Sequence, residues 1–142
     1  MSNIVNLSEA ASIALNGLVQ IAKSENYINS AHIAENLGSS KHHVAKVMQI
    51  LTKNGYIRSF RGPSGGFVLN KAPEEIRFID VYELIEGKLE AHDCPFFNNG
   101  CKLSSGCILQ CVTNNMTKLF YDYMVGQTVA MHLNKEINLP AN

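Results

Sequence analysis

All four cysteines of the chain fall in one short window, at Cys94, Cys101, Cys107 and Cys111. Thiolates are soft ligands that suit iron–sulfur clusters and zinc. Disulfide frameworks of secreted domains usually spread their cysteines along the chain, whereas clustered cysteines in a reducing compartment bind metal or do redox chemistry. Cys94 and Cys101 are seven positions apart, about 10 Å on a straight helix, too far for one centre. They need a loop that folds back, and Pro95, Gly100 and Gly106 provide it. Cys107 and Cys111 stand at i and i+4, so a helix starting there carries both sulfurs on one face. Structural zinc sites use close pairs with two to four residues between them, which the gaps here do not match. An iron–sulfur cluster, a disulfide or thiol switch, zinc, and purely structural thiols are the readings this window allows. Cys111 reads equally as a ligand or as a core cysteine of a helix. His92 is a candidate substitute ligand in the same loop.

A second constellation is basic. Between Gly38 and Gly62 lie Lys41, Lys46, Lys53, Arg58 and Arg61, with no Asp or Glu among them. From Glu74 to Asp93 the balance reverses, with Glu74, Glu75, Asp80, Glu83, Glu86, Glu90 and Asp93 against Arg77 and Lys88. The formal net charge is zero, but a chain with one basic face can still attract a polyanion. If Val44, Val47 and Leu51 turn inward on a helix, its outward face holds Lys41, His42, Ala45, Lys46, Gln49 and Lys53. Lysines there would neutralise phosphates, while Ser40, His42 and Gln49 carry groups able to hydrogen-bond base edges. His42 and His43 point about 100° apart on a helix and do not share a metal site.

The elements that must position these groups are legible. Ser8 is a suitable N-cap for a first helix, with Glu9 in its first turn and Ala10, Ala14, Gly17, Leu18 and Ile21 as its apolar stripe. Ser30 can cap a short helix that buries Ile33, Ala34 and Leu37 and stops at Gly38. Ser39 or Ser40 caps a third helix, with Val44, Val47, Met48 and Leu51 on one face and Asn54-Gly55 at its end. Two helices joined by a tight glycine turn are the sign of a helix-turn-helix, whose second helix lies in the major groove of DNA. Two β-like runs follow, Tyr56 to Phe60 and Phe67 to Leu69, separated by Arg61-Gly62-Pro63-Ser64-Gly65-Gly66. This predicts a hairpin wing with Arg58, Arg61 and Ser64 available to DNA; an arginine beside a glycine-rich tip can enter a narrow minor groove. The candidate DNA contacts are therefore Ser40, Lys41, His42, His43, Lys46, Gln49, Arg58, Arg61 and Ser64.

Beyond Pro73, Ile76, Ile79, Leu84 and Ile85 predict a small helix near Phe78 to Glu86, and Ala91 to Gly106 reads as loop. A long helix is expected over Cys107 to Asn134, about 40 Å in length. On it Val112, Met116, Leu119, Tyr123 and Ala130 approach a heptad seam, which predicts a homodimer. The expected fold is mainly α with a small β-hairpin: a winged helix-turn-helix over 1–72, a connector helix and cysteine loop over 73–106, and a dimerisation helix and tail over 107–142. No apolar run approaches the ~20 residues of a membrane span. Met1 to Leu7 lacks the pattern of a signal peptide, so a cytoplasmic protein without membrane contact is expected. No nucleophile elbow, phosphate loop or pair of catalytic carboxylates is present, so an enzyme is not expected.

The run from Asn54 to Leu69, with its Arg-Gly-Pro-x-Gly-Gly turn, resembles the wing of bacterial regulators of the Rrf family, typified by the iron–sulfur regulator IscR and the nitric-oxide sensor NsrR. Ile33-Ala34-Glu35, Pro73-Glu74-Glu75-Ile76 and Asp80-Val81-Tyr82-Glu83-Leu84-Ile85-Glu86-Gly87 also match, and the similarity extends from Leu7 to about Cys111. The resemblance implies a winged-helix homodimer that binds double-stranded DNA at palindromic operators. Family members that carry a cluster use three cysteines matching Cys94, Cys101 and Cys107, with a variable fourth ligand. It thus implies a [2Fe-2S] or [4Fe-4S] cluster over zinc, and operator binding that responds to redox state or nitric oxide. The chain departs from the pattern in three places. The first cysteine gap is six residues, where five is commoner, and Cys111 is an additional cysteine. Ser12 stands where some relatives place an acidic ligand, with Glu9 nearby but offset. Ala45 stands where relatives often have an acidic side chain, so their operator sequence does not transfer. The alternatives are a thiol-switch or non-cluster regulator of the same fold, and an iron–sulfur carrier or scaffold that never meets DNA.

Overall fold

The computed structural model describes residues 7–89, 107–108 and 112–134. The order of elements is α1 (Glu9–Lys23), α2 (Ser30–Leu37), α3 (Lys41–Lys53), β1 (Ile57–Phe60), β2 (Gly66–Leu69), a 3-10 turn at Pro73–Glu75, α4 (Phe78–Glu86), α5 (Val112–Gly126) and a second 3-10 turn at Val129–His132. The mainly helical fold with a hairpin wing is thus the one expected.

The helix starts follow from short-range chemistry. The Ser8 side chain accepts the Ala11 N–H at 3.1 Å and opens α1. Ser8 is itself held by α4, its backbone N–H donating to Glu86 Oε1 at 3.2 Å and its hydroxyl to the same oxygen. The α2 cap is Asn29 and not Ser30: its Oδ1 accepts the His32 N–H at 2.9 Å from an extended backbone, and Ser30 is already the first helical residue. Gly38 ends α2 with φ of 67°, a left-handed conformation that glycine adopts without strain. Ser40 caps α3, accepting the His43 N–H at 3.1 Å.

α1, α2 and α3 enclose a core of Leu18, Ile33, Val44, Val47, Met48 and Leu51, each at most 1% exposed. Gly17 allows the close approach of α1 and α3, because a Cβ there would stand 2.7 Å from the Met48 methyl carbon. The hairpin pairs Ile57 with Leu69, Arg58 with Val68, Ser59 with Phe67 and Phe60 with Gly66. Ile28, just ahead of α2, adds a bridge to its outer edge, the Phe67 N–H donating to the Ile28 carbonyl at 2.8 Å. Gly66 is required there, since a Cβ would lie 2.6 Å from that carbonyl oxygen. The wing is therefore anchored to the helix-turn-helix by backbone as well as by the buried Ile57.

α4 buries Phe78, Ile79, Val81 and Tyr82 into the same core. Beyond it the structure departs from the expected helix over Cys107 to Asn134. Residues 107 and 108 are not helical, and α5 ends at Gly126. The chain then doubles back to the segment before α4. The Phe78 N–H donates to the Gln127 carbonyl at 3.0 Å and the Val129 N–H to the Ile76 carbonyl at 3.0 Å. His132 stacks on Phe78 with ring centroids 4.9 Å apart. Glycine is a poor helix former, and this return buries Val129 completely, worth about 1.5–3 kcal/mol. A continued helix would forgo that burial. Ala130 consequently sits in the 3-10 turn and does not extend the seam.

Candidate nucleic-acid interface

The apolar face of α3 is buried, and that fixes which residues it shows to solvent. Ser40, Lys41, His42, Lys46, Gln49 and Lys53 are exposed. His43 differs from this set. It is half-buried, and its Nδ1 lies 3.4 Å from Glu9 Oε2 on α1. Ser39 Oγ donates to the other oxygen of the same carboxylate at 2.5 Å. The Ser39 hydroxyl, aided by the neighbouring His43, holds the Glu9 carboxyl below the ordinary range.

α3 and the wing enclose a shallow groove of about 410 Å³, lined by Ser30, Ala45, Gln49, Thr52, Lys53, Ser59 and Phe67. Gln49 of α3, Ser59 of β1 and Ser30 of α2 all line this open groove, which has no acidic residue in its wall. The methyl of Ala45 leaves the groove open where a longer acidic side chain would fill it and reverse its polarity. Alternation along β1 turns Ser59 toward this groove and Arg58 and Phe60 to the other side of the hairpin. There the Arg58 guanidinium stands 5.9 Å over the Phe60 ring, and Phe60 packs against Tyr27 at 4.7 Å between centroids. Arg61 and Ser64 are exposed at the tip, where Gly62 takes φ of 111° and the Gly65 N–H donates to its carbonyl at 3.0 Å.

The structure therefore brings Ser40, Lys41, His42, Lys46 and Gln49 onto the exposed side of α3 and leaves Arg61 and Ser64 exposed at the tip of the hairpin. It places Arg58 behind the hairpin and ties His43 to α1. Ser30, Thr52 and Ser59 are groove residues that the sequence did not suggest. Their proximity arises from packing between separate elements and leaves no periodic trace.

Of the cysteine window, Cys94, Cys101, Cys111 and the candidate His92 lie outside the described residues. Cys107 is described and half-buried. Seven positions further on, Asn114 has a buried Oδ1 with no hydrogen-bond partner among the described residues, an oxygen acceptor near the thiols in sequence. Four soft thiolates, one of them partly withdrawn from water, are a donor set that fits an iron–sulfur cluster.

Residues 7–135 match the family described as Rrf2, an iron-dependent transcriptional regulator. The chain is 36% identical over 104 residues to the HTH-type transcriptional regulator NsrR of Bacillus licheniformis, covering 71% of each protein. It is 25% identical over 134 residues to the HTH-type transcriptional regulator IscR of Erwinia tasmaniensis, covering 93% of this chain and 81% of that one. Among solved structures it superposes on CymR (YrzC), described as the global cysteine regulator of B. subtilis, with a TM-score of 0.75 at 18% identity, covering 91% of this chain and 96% of that one. That last likeness is one of fold. Among the described residues no helix is long and apolar enough to cross a membrane.

Proposed function

The chain belongs to the Rrf2 family of transcriptional regulators, which are DNA-binding proteins and not enzymes, and on that premise we propose that it acts in the cytoplasm as a homodimer on palindromic operators, under the control of an iron–sulfur centre. The observation that carries the DNA half of this reading is the α3 face. Lys41, Lys46 and Lys53 stand exposed along a helix whose apolar side is fully buried, beside a groove that holds Gln49 and Ser59. Lysines set the grip on phosphates, and Ser40, His42 and Gln49 have donors and acceptors for base edges. Arg61 at the glycine-rich tip reaches for the minor groove. In this reading residues 1–72 read DNA, 73–106 carry two of the four cysteines, and 107–142 carry the other two and join the subunits.

The dimer reading rests on α5. Val112, Met116, Leu119 and Tyr123 are 42%, 45%, 73% and 56% exposed along one side of it, and a second copy would cover that row as in a coiled coil. Two recognition helices held by such a dimer meet half-sites about 34 Å apart.

Cys94, Cys101, Cys107 and Cys111 would hold a [2Fe-2S] or [4Fe-4S] cluster, with Asn114 close in sequence as an oxygen donor. When bound, such a group supplies chemistry sensitive to oxidants and nitric oxide. Cys107 and Cys111 immediately precede α5 in the sequence, so the state of the thiols would bear on the helix that sets the distance between the two subunits. Protein purified without air should be brown and should lose its visible absorption in the Cys101→Ala variant. A colourless wild type with four titratable thiols would replace the cluster with a thiol switch. The same protein should enrich a palindrome from a pool of random duplexes. Arg61→Ala should weaken that binding about tenfold and lower the salt slope by up to about 0.9, because one cation fewer then offsets the phosphate charge that lines the groove. Failure to enrich any duplex at low salt would overturn the regulatory reading, whatever the colour.

A further inference from the structure

The first turn of α3 contains no acidic residue of its own, yet a carboxylate sits at its N-terminal end. Glu9, thirty positions upstream of Ser39 and the first residue of α1, supplies it. One carboxylate oxygen takes the Ser39 hydroxyl at 2.5 Å and the other lies 3.4 Å from His43 Nδ1. These two partners flank Ser40, whose hydroxyl caps the helix. The Glu9 side chain remains 62% exposed, so its charge is open to solvent at this end of α3. The hydrogen bond from Ser39 favours the ionised form.

Helix N-termini attract anions, because their N–H groups and dipole point outward. In α3 this same end must enter a groove walled by phosphates. A carboxylate fixed there repels an approaching phosphate and lies against the imidazole that could otherwise bind one. We propose that Glu9 is a specificity-determining counter-charge: it weakens the sequence-independent hold of α3 on the DNA backbone, so that tight binding depends on base contacts. A non-specific complex depends wholly on phosphates, whereas an operator complex adds base hydrogen bonds at a fixed register. Removing the charge therefore favours the non-specific complex more. This inference rests on the DNA-binding reading above.

The test is Glu9→Gln, which keeps an acceptor for Ser39 and removes only the charge, with Glu9→Ala as a second variant. Binding to a random-sequence duplex pool and to the duplex that selection enriches is titrated across salt concentrations, and melting curves check the fold. Both variants should bind random DNA about three- to tenfold more tightly at low salt, with a salt slope steeper by up to about 0.9 once the charge that repels a phosphate is gone. The enriched duplex should gain less, so the ratio of specific to random affinity falls. A merely structural Glu9 would lower the melting temperature and weaken both duplexes alike. If wild type binds DNA and neither variant holds random DNA more tightly, the counter-charge is refuted and the operator reading stands. If wild type binds no duplex at all, both fail.

Discussion

α3 and α5 are helices of similar size, thirteen and fifteen residues, that divide their side chains in opposite ways. α3 turns Val44, Val47, Met48 and Leu51 inward and leaves lysines, His42 and Gln49 to solvent. α5 buries only Thr117 and Met124 among its described side chains and leaves Val112, Met116, Leu119 and Tyr123 largely outside. A row of exposed charge is stable in water and offers itself to a polyanion. A row of exposed apolar groups is not stabilised by water and calls for a protein surface. The difference teaches that the two helices suit two kinds of partner, which in our reading are duplex DNA for one and a second copy for the other.

The comparison breaks most visibly where the two apolar rows are truncated. Leu51 is fully buried, so Leu51→Ala should cost about 2–5 kcal/mol of folding stability, read from urea unfolding. Leu119, at 73% exposed, should behave otherwise. Leu119→Asp should leave the fold of each chain intact while placing a charge in the centre of the subunit seam. Sedimentation equilibrium should show the dimer weakened about a hundredfold or more, with operator affinity falling alongside it. A Leu119→Asp protein that stays dimeric would show that this row is covered by something other than a second copy.

How much of this contrast was legible in the sequence depends on the range of the interactions involved. Ser8, Gly38, Ser40 and the Arg61–Gly66 turn act on residues within a few positions of themselves, so their types announced α1, the helix-turn-helix and the wing. The apolar spacing of Val44, Val47, Met48 and Leu51 announced which side of α3 is buried, and therefore most of the candidate DNA face. Three features were hidden. The end of α5 at Gly126 depends on Gln127 and Val129 finding backbone partners at Phe78 and Ile76, about fifty positions away, which no local pattern records. The groove depends on Ser30, Ala45 and Ser59 meeting from three separate elements. The reach of Glu9 to Ser39 and His43 joins α1 to the start of α3 across thirty positions, and the sequence of α3, from which His43 is a candidate DNA contact, carries no sign of it.

Ser40 sharpens the comparison at its smallest scale, because one hydroxyl there is asked to do two things. Its oxygen accepts the His43 N–H and closes the first turn of α3, while its proton remains available to an acceptor on DNA. Ser40→Ala removes both and should lower stability by about 1 kcal/mol, measured by urea unfolding, whereas Ser40→Gly should lose only a few tenths, since glycine is tolerated at a cap. DNA binding separates the roles. If the hydroxyl serves only as a cap, Ser40→Gly should retain operator affinity while Ser40→Ala loses a part that tracks its stability. If the hydroxyl also contacts a base, the two variants should lose operator affinity equally despite their different stabilities. The second pattern would place the first residue of DNA recognition ahead of the first helical residue, on the turn that α2 and α3 share and that Glu9 guards from the side.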